Sequence, residues 1–494
     1  MRFQYFPKKL RGIILCFLLL HTLVSAAWGT ELPRYMGLTI LHTNDIHGHL
    51  FTLDYYDNDF DGANIHLQDV GGAARQATLI RQLKTTSPYP VLVMSAGDVF
   101  TRGPISFLHG TPDFDVMNAV PYDVMTLGNN EFEGGEGAAG QRVLFDRIKQ
   151  ARFPVVSANV FYKSSGKTIV PPYKIFDING VKIGVLGLTA PRVASYSTAE
   201  GLDVSDPIAV AKTIVAELQQ KADFIIALTH IGYDSGKKAC DLQLAEQVPG
   251  IDVIIGGDSH TWLRQPTLVR EGKDSDSAFY VGGTIVNQAG ESGVAVDRID
   301  LRLRRAEGHR YRVMSYSAKI INVDSTAAPA DDVIALLGRY TKSLQNVVGR
   351  LSKDVSKAEM GDWLARCLQE TAGTQIGMAF KVTIEGGLKA GPVDSLALRR
   401  MFPFKKELLK ATATGKQLKD FIAAWKTAAW NPFLSGARML NGELYIGDEK
   451  AVETQSYTVA VEDFWGIRRS GAELAPTDLT IWDAITKYLA KGAN

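Results

Sequence analysis

Residues 38–50 have the sequence LTILHTNDIHGHL, in which a short apolar run is followed by a cluster of polar side chains. The run has the length and composition of a buried β-strand, and Asn44, Asp45 and His47 come directly after it. In open α/β sheets, ligands bind beyond the carboxyl ends of the strands. The stretch therefore predicts an α/β fold in which the functional side chains lie on loops that follow strands.

The same arrangement recurs at four later positions in the chain. Apolar runs at 91–95, 124–127, 224–229 and 253–255 end in the clusters AGD (96–98), GNNE (128–131), His230 and GGDSH (256–260). Segments with helical periodicity lie between several of these runs, and strands that alternate with helices indicate an α/β domain, here over residues 36–322. Each cluster alone is a weak indication. Together they place carboxylates and imidazoles on one rim of a sheet, where such groups can bind two divalent cations.

The remainder of the chain divides into a connection and a second domain. Residues 323–332 (VDSTAAPADD) are rich in small and polar residues, which is typical of a domain boundary. We predict a linking helix over residues 331–348. We expect residues 349–494 to form a C-terminal α+β domain with helices near 360–372, 415–428 and 478–489.

The N-terminus has the three-part pattern of a secretory signal peptide, which we predict over residues 1–27. Residues 1–12 carry four cations, residues 13–26 are almost all apolar, and the small residues Ser25, Ala26 and Ala27 close the segment. The apolar run of about 14 residues is shorter than the roughly 20 residues needed to cross a bilayer. We therefore expect a secreted or periplasmic protein with no stable membrane anchor. An uncleaved anchor is the alternative.

The composition is that of a globular protein, since 46% of the 494 residues are hydrophobic and 22% are charged. The formal net charge of +1 includes the four N-terminal cations, and without them 50 basic residues face 53 acidic ones. This balance argues against a nucleic-acid polymer as a partner and leaves a small anionic substrate open. Cys240 and Cys367 can form one disulfide or stay as two free thiols. The sequence does not define the oligomeric state.

The motifs resemble those of one enzyme family. The strings LTILHTNDIHGHL, SAGD, GNNEFE, LTHIGYD and GGDSHT resemble the bacterial and ecto-type 5′-nucleotidase branch of the calcineurin-like metallophosphoesterases. The resemblance is strong over residues 36–320 and weaker over residues 378–425. It implies an α/β fold, namely a four-layer metallophosphoesterase sandwich, followed by a C-terminal α+β substrate-binding domain.

The resemblance also implies a set of metal ligands. One divalent ion would be held by Asp45, His47 and His260, and the other by Asn129, His230 and Asp258, with Asp98 as the bridge between them. Asn129 would in addition contact the substrate. Two such ions clamp a phosphoryl group and lower the pKa of a water molecule that attacks phosphorus. The identity of the ions, among manganese, zinc, magnesium and calcium, is open.

Two departures from the family pattern lie in the predicted catalytic centre. Where the family has GNHE followed by an aspartate, this chain has Asn130 at the position of the catalytic histidine and Glu133 at that of its carboxylate partner. An asparagine donates only a neutral hydrogen bond and cannot titrate. Where the family has GH before its final histidine, this chain has Asp258, which still binds a cation but adds a negative charge and favours harder ions.

The third departure lies in the predicted substrate domain. The GGGIR loop of the family appears as EGGLK at residues 385–389, where Lys389 is the predicted phosphate contact. Phe464 falls near the position at which the family stacks an aromatic ring on the base, with an ordinary core aromatic as the alternative. Residues 468–470 (RRS) replace the GGD that follows in the family. Specificity for nucleosides is therefore open.

These observations favour an exported, dimetal-dependent phosphoesterase of the 5′-nucleotidase type. Its substrate would be a nucleotide or another small phosphate ester or anhydride, and the loss of a strong general acid at Asn130 predicts a preference for good leaving groups. One alternative is a catalytically impaired, exported protein of the same fold that binds metal or nucleotide. Another is a thiosulfohydrolase-like enzyme of sulfur metabolism.

Overall fold

Two six-stranded sheets stack face to face in the first part of the chain. The computed structural model describes residues 32–56, 65–234, 236, 239–269, 280–306, 310–426 and 431–492. The strands of the first sheet, in spatial order, are Tyr311–Asn322, Ala295–Arg305, Tyr35–Thr43, Val91–Ser95, Val124–Thr126 and Val155–Val156. Those of the second sheet are Thr267–Val269, Thr284–Asn287, Val253–Ile255, Phe224–His230, Val181–Thr189 and Tyr173–Ile178.

Helices cover the outer face of each sheet. Against the first sheet lie helices Ala73–Thr86, Thr111–Ala119, Gly137–Gln150 and Asp331–Thr341, and against the second lie Pro207–Leu218 and Asp241–Gln247. Leu38 and Ile40 pack between the two sheets, while Leu41 points to the helix side of its own sheet. Strands that are buried on both faces have continuous apolar sequences. The predicted four-layer α/β sandwich is confirmed.

Parallel pairing in the middle of both sheets brings the carboxyl ends of the strands to common edges. Strand Tyr35–Thr43 runs parallel to Val91–Ser95, which runs parallel to Val124–Thr126. In the second sheet, Phe224–His230 pairs in parallel with its two neighbours, Val181–Thr189 and Val253–Ile255. The loops that follow these strands carry the polar clusters found in the sequence.

The second part of the chain is a five-stranded sheet with helices on both faces. Its strands, in spatial order, are Pro432–Ser435, Ile376–Phe380, Ser456–Glu462, Glu407–Thr414 and Glu473–Thr480. Its helices are Lys357–Ala372, Ser395–Met401, Gly415–Trp425, Trp465–Arg468 and Ile481–Ala490. Short strands at Thr52–Tyr56, His66–Gly71, Val160–Tyr162, Leu202–Val204, Val347–Leu351, Gly391–Asp394, Ala437–Leu440, Glu443–Ile446 and Glu449–Lys450 complete the described strands. Sheet and helices together give the α+β architecture that the sequence predicts.

The linking helix is shorter than the prediction of 331–348. It ends at Thr341, a single 3-10 turn follows at Lys342–Leu344, and the chain then enters strand Val347–Leu351. Val347 and Val348 are β-branched, and such residues lose rotamer freedom in a helix but pack well in a strand. The apolar periodicity that suggested a longer helix therefore belongs to two different elements.

The predicted signal peptide at residues 1–27 lies outside the described residues. Within the described part of the chain, we find no helix with the length and apolar character that a membrane crossing requires. In the same part of the chain, Cys240 and Cys367 are both buried free thiols. Of the two alternatives for these cysteines, the structure has the one without a disulfide.

Candidate dimetal centre

Loops from both sheets bring predicted ligands into one buried cluster. The ligand atoms of Asp45, His47 and His260 all lie within 4.8 Å of one another, and so do those of Asp45, Asp98 and His230. Asp45 Oδ1 is central, at 3.5 Å from His260 Nε2 and 3.7 Å from Nε2 of both His47 and His230. Asp45 is thus the residue that the two groups share, and the bridging role expected of Asp98 stays a prediction.

The backbone of the cluster is held in a conformation that non-glycine residues rarely adopt. Asp45, His47, Asp98, Asp258 and His260 have φ angles of 52°, 53°, 54°, 81° and 57°. Each such residue costs roughly 1–3 kcal/mol, and strain of this kind concentrates at functional sites. The loops are held by bonds between them, because the amide of Asp45 donates to Gly97 O at 3.0 Å and that of His47 to Asp98 O at 2.9 Å.

Gly257 shows how closely the loops approach one another. A Cβ atom at this position would lie 2.8 Å from His230 Nδ1 and 3.0 Å from Asp45 Oδ2. Real Cβ atoms do not come within 2.8 Å of a neighbouring atom, so a side chain at position 257 would clash with His230. Glycine therefore allows the loop that leads to Asp258 to pass close to His230 and Asp45. The amide of Asp258 then donates to both carboxylate oxygens of Asp45, at 3.0 Å to Oδ2 and 3.2 Å to Oδ1, which fixes the carboxylate beside the histidines.

His230 is oriented as a metal ligand. Its Nδ1 donates to the carbonyl of Ala96 at 2.6 Å, so Nε2 is the nitrogen that would bind an ion once it gives up its proton. Nε2 lies 3.1 Å from Asp98 Oδ2 but has no hydrogen-bond partner among the described residues. Burial lowers the pKa of His230, but the carboxylates of Asp98 and Asp45 outweigh it and raise this pKa to about 10. The buried carboxylates thus favour a cation at this position.

His47 and His260 are oriented by different partners. The side-chain amide of Asn130 satisfies its neighbours when its oxygen accepts from His47 Nδ1 at 2.7 Å and its NH2 group donates to Glu133 at 3.2 Å. His260 Nδ1 lies 3.0 Å from Glu291 Oε2. Both rings therefore turn Nε2 toward Asp45, and the two Nε2 atoms are 3.0 Å apart. A carboxylate or carbonyl behind the imidazole is the usual support of a histidine that binds metal. Oriented imidazoles around buried carboxylates fit two divalent ions.

Comparison with known proteins identifies the family. Residues 38–262 match the calcineurin-like phosphoesterases, and residues 337–475 match the 5′-nucleotidase C-terminal domain. A 5′-nucleotidase of Vibrio cholerae is 31% identical over 456 residues, which cover 82% of this chain and 78% of that protein. The chain belongs to the 5′-nucleotidase family. It is a metal-dependent phosphoesterase of this family, as the motifs predict.

Solved structures of other proteins have the same architecture as this chain. The crystal structure of a 5′-nucleotidase precursor from Thermus thermophilus superposes with a TM-score of 0.68 at 25% identity, covering 93% of this chain and 97% of that chain. The sulfate thiohydrolase SoxB of Thermus thermophilus superposes with a TM-score of 0.67 at 18% identity and covers 94% and 96%. The second likeness extends to the fold alone.

Arg192 joins this 5′-nucleotidase-type centre, although no motif in the sequence singled it out. It lies on the 3-10 turn Pro191–Ser195, which follows strand Val181–Thr189, so a sixth loop reaches the rim. Its guanidinium donates to Asn129 Oδ1 and to Asp258 Oδ1, the two predicted ligands outside the two groups described above. The negative charge that Asp258 adds is therefore neutralised within the site.

Glu131 is a second supporting group that the sequence analysis left without a role. Its buried carboxylate accepts hydrogen bonds from the backbone amides of Asp98 at 3.0 Å, Val99 at 2.8 Å and Gly128 at 2.7 Å. Burial and then the charge of Asp98 raise the pKa of Glu131 to about 7. The residue connects the loop that carries Asp98 to the loop that carries Asn129.

The two substrate contacts predicted in the C-terminal domain do not join the cluster. Lys389 Nζ is 2.9 Å from Asp354 Oδ2, and its side chain is 90% exposed. Phe464 is only 6% exposed and packs edge-on against Phe380 and Trp425. Its ring is a core aromatic in this structure, so the predicted stacking on a base has no structural support here.

A cavity of about 280 Å³ between the two parts of the chain adjoins the centre. Its lining includes Arg102 and Glu291 from the first part and Lys357, Phe404 and Lys406 from the second. Glu291 connects the cavity to the centre, because its carboxylate also contacts His260. The lining also includes the carboxylates of Asp54 and Glu385, so three cations and three acids surround the half-buried ring of Phe404. Phe404 lies in the string FPFKK (402–406), which belongs to the region of weaker resemblance. That resemblance was the only feature of the sequence that pointed to Phe404 as a residue near the site.

Proposed function

We propose that the protein is an exported hydrolase that uses two divalent ions to cleave a small phosphate ester or anhydride, with nucleotides as the first candidates. The observation that supports this most is the convergence of Asp45, Asp98, His47, His230 and His260, with Nε2 of every imidazole turned inward. Membership in the 5′-nucleotidase family supports the reaction class. The pattern of residues 1–27 supports export.

The ligands proposed for the two ions are those named from the sequence. When bound, the ions supply Lewis acidity toward the phosphoryl oxygens and lower the pKa of the attacking water. The chain supplies three carboxylates, three imidazoles and the amide oxygen of Asn129, and two of these ligand atoms, Asn129 Oδ1 and Asp258 Oδ1, also accept from Arg192. The mixture of oxygen and nitrogen donors suits manganese or zinc, and Asp258 extends the range to harder ions.

Asn130 acts in this proposal as a positioning residue and not as an acid. Its amide is shared between His47 and Glu133, and an amide cannot give a proton to a departing oxygen. The leaving group must therefore depart without that assistance, so substrates with acidic leaving groups are favoured. Phosphoanhydrides and aryl phosphates should be cleaved faster than alkyl phosphates such as a 5′-mononucleotide.

The interdomain cavity is the proposed location of the non-reacting part of the substrate. His49 lies in its lining and bonds Glu385 of the second part of the chain through Nε2 and Oε2 at 2.7 Å. Arg102, Lys357 and Lys406 place positive charge around the same space. Asp54, Glu291 and Glu385 face the same space, so the lining has hydrogen-bond donors, acceptors and the ring of Phe404 for the polar and planar parts of a nucleotide.

Assays on the full chain, purified from the periplasm of a Gram-negative host, test the proposal. We expect two ions per chain and hydrolysis of p-nitrophenyl phosphate and nucleoside di- or triphosphates that is lost with a chelator and restored by manganese. Asp45→Asn is the inactive control. Ion binding without turnover of any of these substrates would identify a binding protein, and absence of ions would overturn the proposal. The N-terminal sequence of the recovered protein tests export.

A further inference from the structure

The three residues by which the catalytic centre departs from the family pattern, Asp258, Glu133 and Asn130, belong to one hydrogen-bonded network. Arg192 donates to Asp258 and to Asn129. Asn129 in turn donates from Nδ2 to Glu133 Oε1 at 3.2 Å, and Glu133 also accepts from the amide of Asn130. Each substituted residue therefore has a chemically matched partner, and Arg192 is the cation at the middle of the network.

The position of Arg192 also leaves part of its guanidinium available to a ligand. The side chain is 38% exposed, although it contacts two residues that belong to the proposed ion-binding set. A guanidinium has five N–H donors in a planar fork that matches the oxygens of a phosphoryl group. Contacts to Asn129 and Asp258 do not use all of them.

We propose that Arg192 is a catalytic residue that binds the oxygens of the transferred phosphoryl group and so replaces the charged donor lost at Asn130. This inference rests on the proposed function. A histidine at position 130 would offer a charged hydrogen bond to the developing negative charge, whereas Asn130 is occupied by His47 and Glu133. Arg192 contacts Asn129, the neighbour of Asn130 in the chain, from a different loop, the 3-10 turn Pro191–Ser195. It stays protonated throughout, so it stabilises charge but transfers no proton.

The contribution of Arg192 to oxyanion binding can be measured without turnover, by titration with an oxyanion that does not react. Orthovanadate and inorganic phosphate are titrated into the manganese-loaded full chain, and the number of bound ions is determined on the same samples. We expect Arg192→Gln to weaken orthovanadate binding by roughly 10–100-fold, the effect of losing charge-assisted hydrogen bonds, with the ion content unchanged. Arg192→Lys should give an intermediate loss, because it keeps the charge but not the fork.

Arg81 provides a matched control on the same part of the chain. Its guanidinium forms a double hydrogen bond with Asp332 at 2.9 and 2.7 Å, and its side chain is 36% exposed. Arg81→Gln therefore removes an arginine that is about as exposed as Arg192 and is also ion-paired, but that lies outside the cluster of proposed ligands. It should leave orthovanadate affinity and ion content at the values of the parent.

A double variant separates oxyanion binding from simple charge pairing. If Arg192 only neutralises Asp258, then Arg192→Gln combined with Asp258→His should recover the affinity for orthovanadate. Under our proposal the double variant stays weak, because no donor replaces the guanidinium. Recovery would overturn the proposal, as would unchanged affinity in the single variant.

Two further outcomes have distinct meanings. A rise from one bound ion to two in Arg192→Gln would show that the guanidinium occupies an ion position, and this also overturns the proposal. If the parent turns over substrate while the variant keeps its orthovanadate affinity, only the inference about Arg192 fails. If the parent binds neither ions nor orthovanadate, the proposed function fails and this inference fails with it.

Discussion

Removal of the carboxylate of Glu291 tests the architecture of the centre without touching a proposed ligand. Glu291 Oε2 lies 3.0 Å from His260 Nδ1, and the attraction of that carboxylate contributes to a raised pKa of His260. Burial raises the pKa of Glu291, but His260 outweighs burial and brings it down to about 2. The carboxylate is therefore ionised at neutral pH and increases the basicity of the imidazole toward an ion.

Groups that support a metal-binding histidine in this way contribute about 10–100-fold to metal affinity. Glu291→Gln keeps an oxygen that can accept from Nδ1 and loses only the charge, so we expect the lower end of this range. Glu291→Ala loses both, and we expect the upper end, about 2.7 kcal/mol. The ring of His260 also loses the contact that orients it through Nδ1, because its contacts to Asp45 and His47 both involve Nε2.

The assay is competition between the protein and a chelator for manganese, with the affinities of both ions fitted separately. Only the ion held by His260 should lose affinity in the Glu291 variants. The ion held by His230 should keep its affinity, because His230 is supported by the carbonyl of Ala96 and not by Glu291. Arg81→Gln again serves as the control. If the parent and Glu291→Ala bind manganese with equal affinity, the assignment of His260 as a ligand is refuted. If both ions lose affinity equally, the division of the centre into two separate ligand groups is refuted.

Three further predictions concern other parts of the molecule. Asn130→His should lower ion affinity about tenfold instead of raising turnover, because it removes the acceptor that orients His47; a large gain in turnover would contradict this. Glu462→Gln should stabilise the protein above pH 7 but not below pH 4.5. Burial raises the pKa of Glu462 to about 7, so ionisation of the buried carboxyl destabilises the fold by at most roughly 3 kcal/mol. Thermal unfolding of both proteins across this pH range measures the difference in stability. Phe464→Ala should lower the unfolding midpoint through a loss of roughly 3–5 kcal/mol, whereas a change in the KM for nucleotides at unchanged stability would restore the stacking role.

The sequence predicted most of the strands that position the centre. Strands Val91–Ser95 and Val253–Ile255 have the predicted limits, and the polar clusters after them lie on neighbouring loops. This success has a physical reason, since buried parallel strands are continuous apolar runs whose carboxyl ends share an edge. The linking helix was overextended because apolar periodicity alone does not separate the end of a helix from the start of a short strand.

The supporting residues could not be predicted because their roles depend on distances that the sequence does not contain. Arg192 lies 66 positions from Asp258, and no polar cluster follows its strand. His49 and Glu385 are separated by 336 positions. An arginine after a strand is usually a solvated surface residue. Only the fold shows that this one contacts two proposed ligands.

Backbone strain distinguishes a maintained centre from a decayed one. Asp45, His47, Asp98, Asp258 and His260 all have left-handed backbone conformations, each with a cost of roughly 1–3 kcal/mol. The strain persists only because buried groups such as Glu131 over-determine the loops. Asp258 shares this conformation and has its own cationic partner, although it differs from the family pattern. A residue that had drifted into a site without function would need neither the strained backbone nor the matched charge, so the substitution fits a modified centre that still binds its ligands.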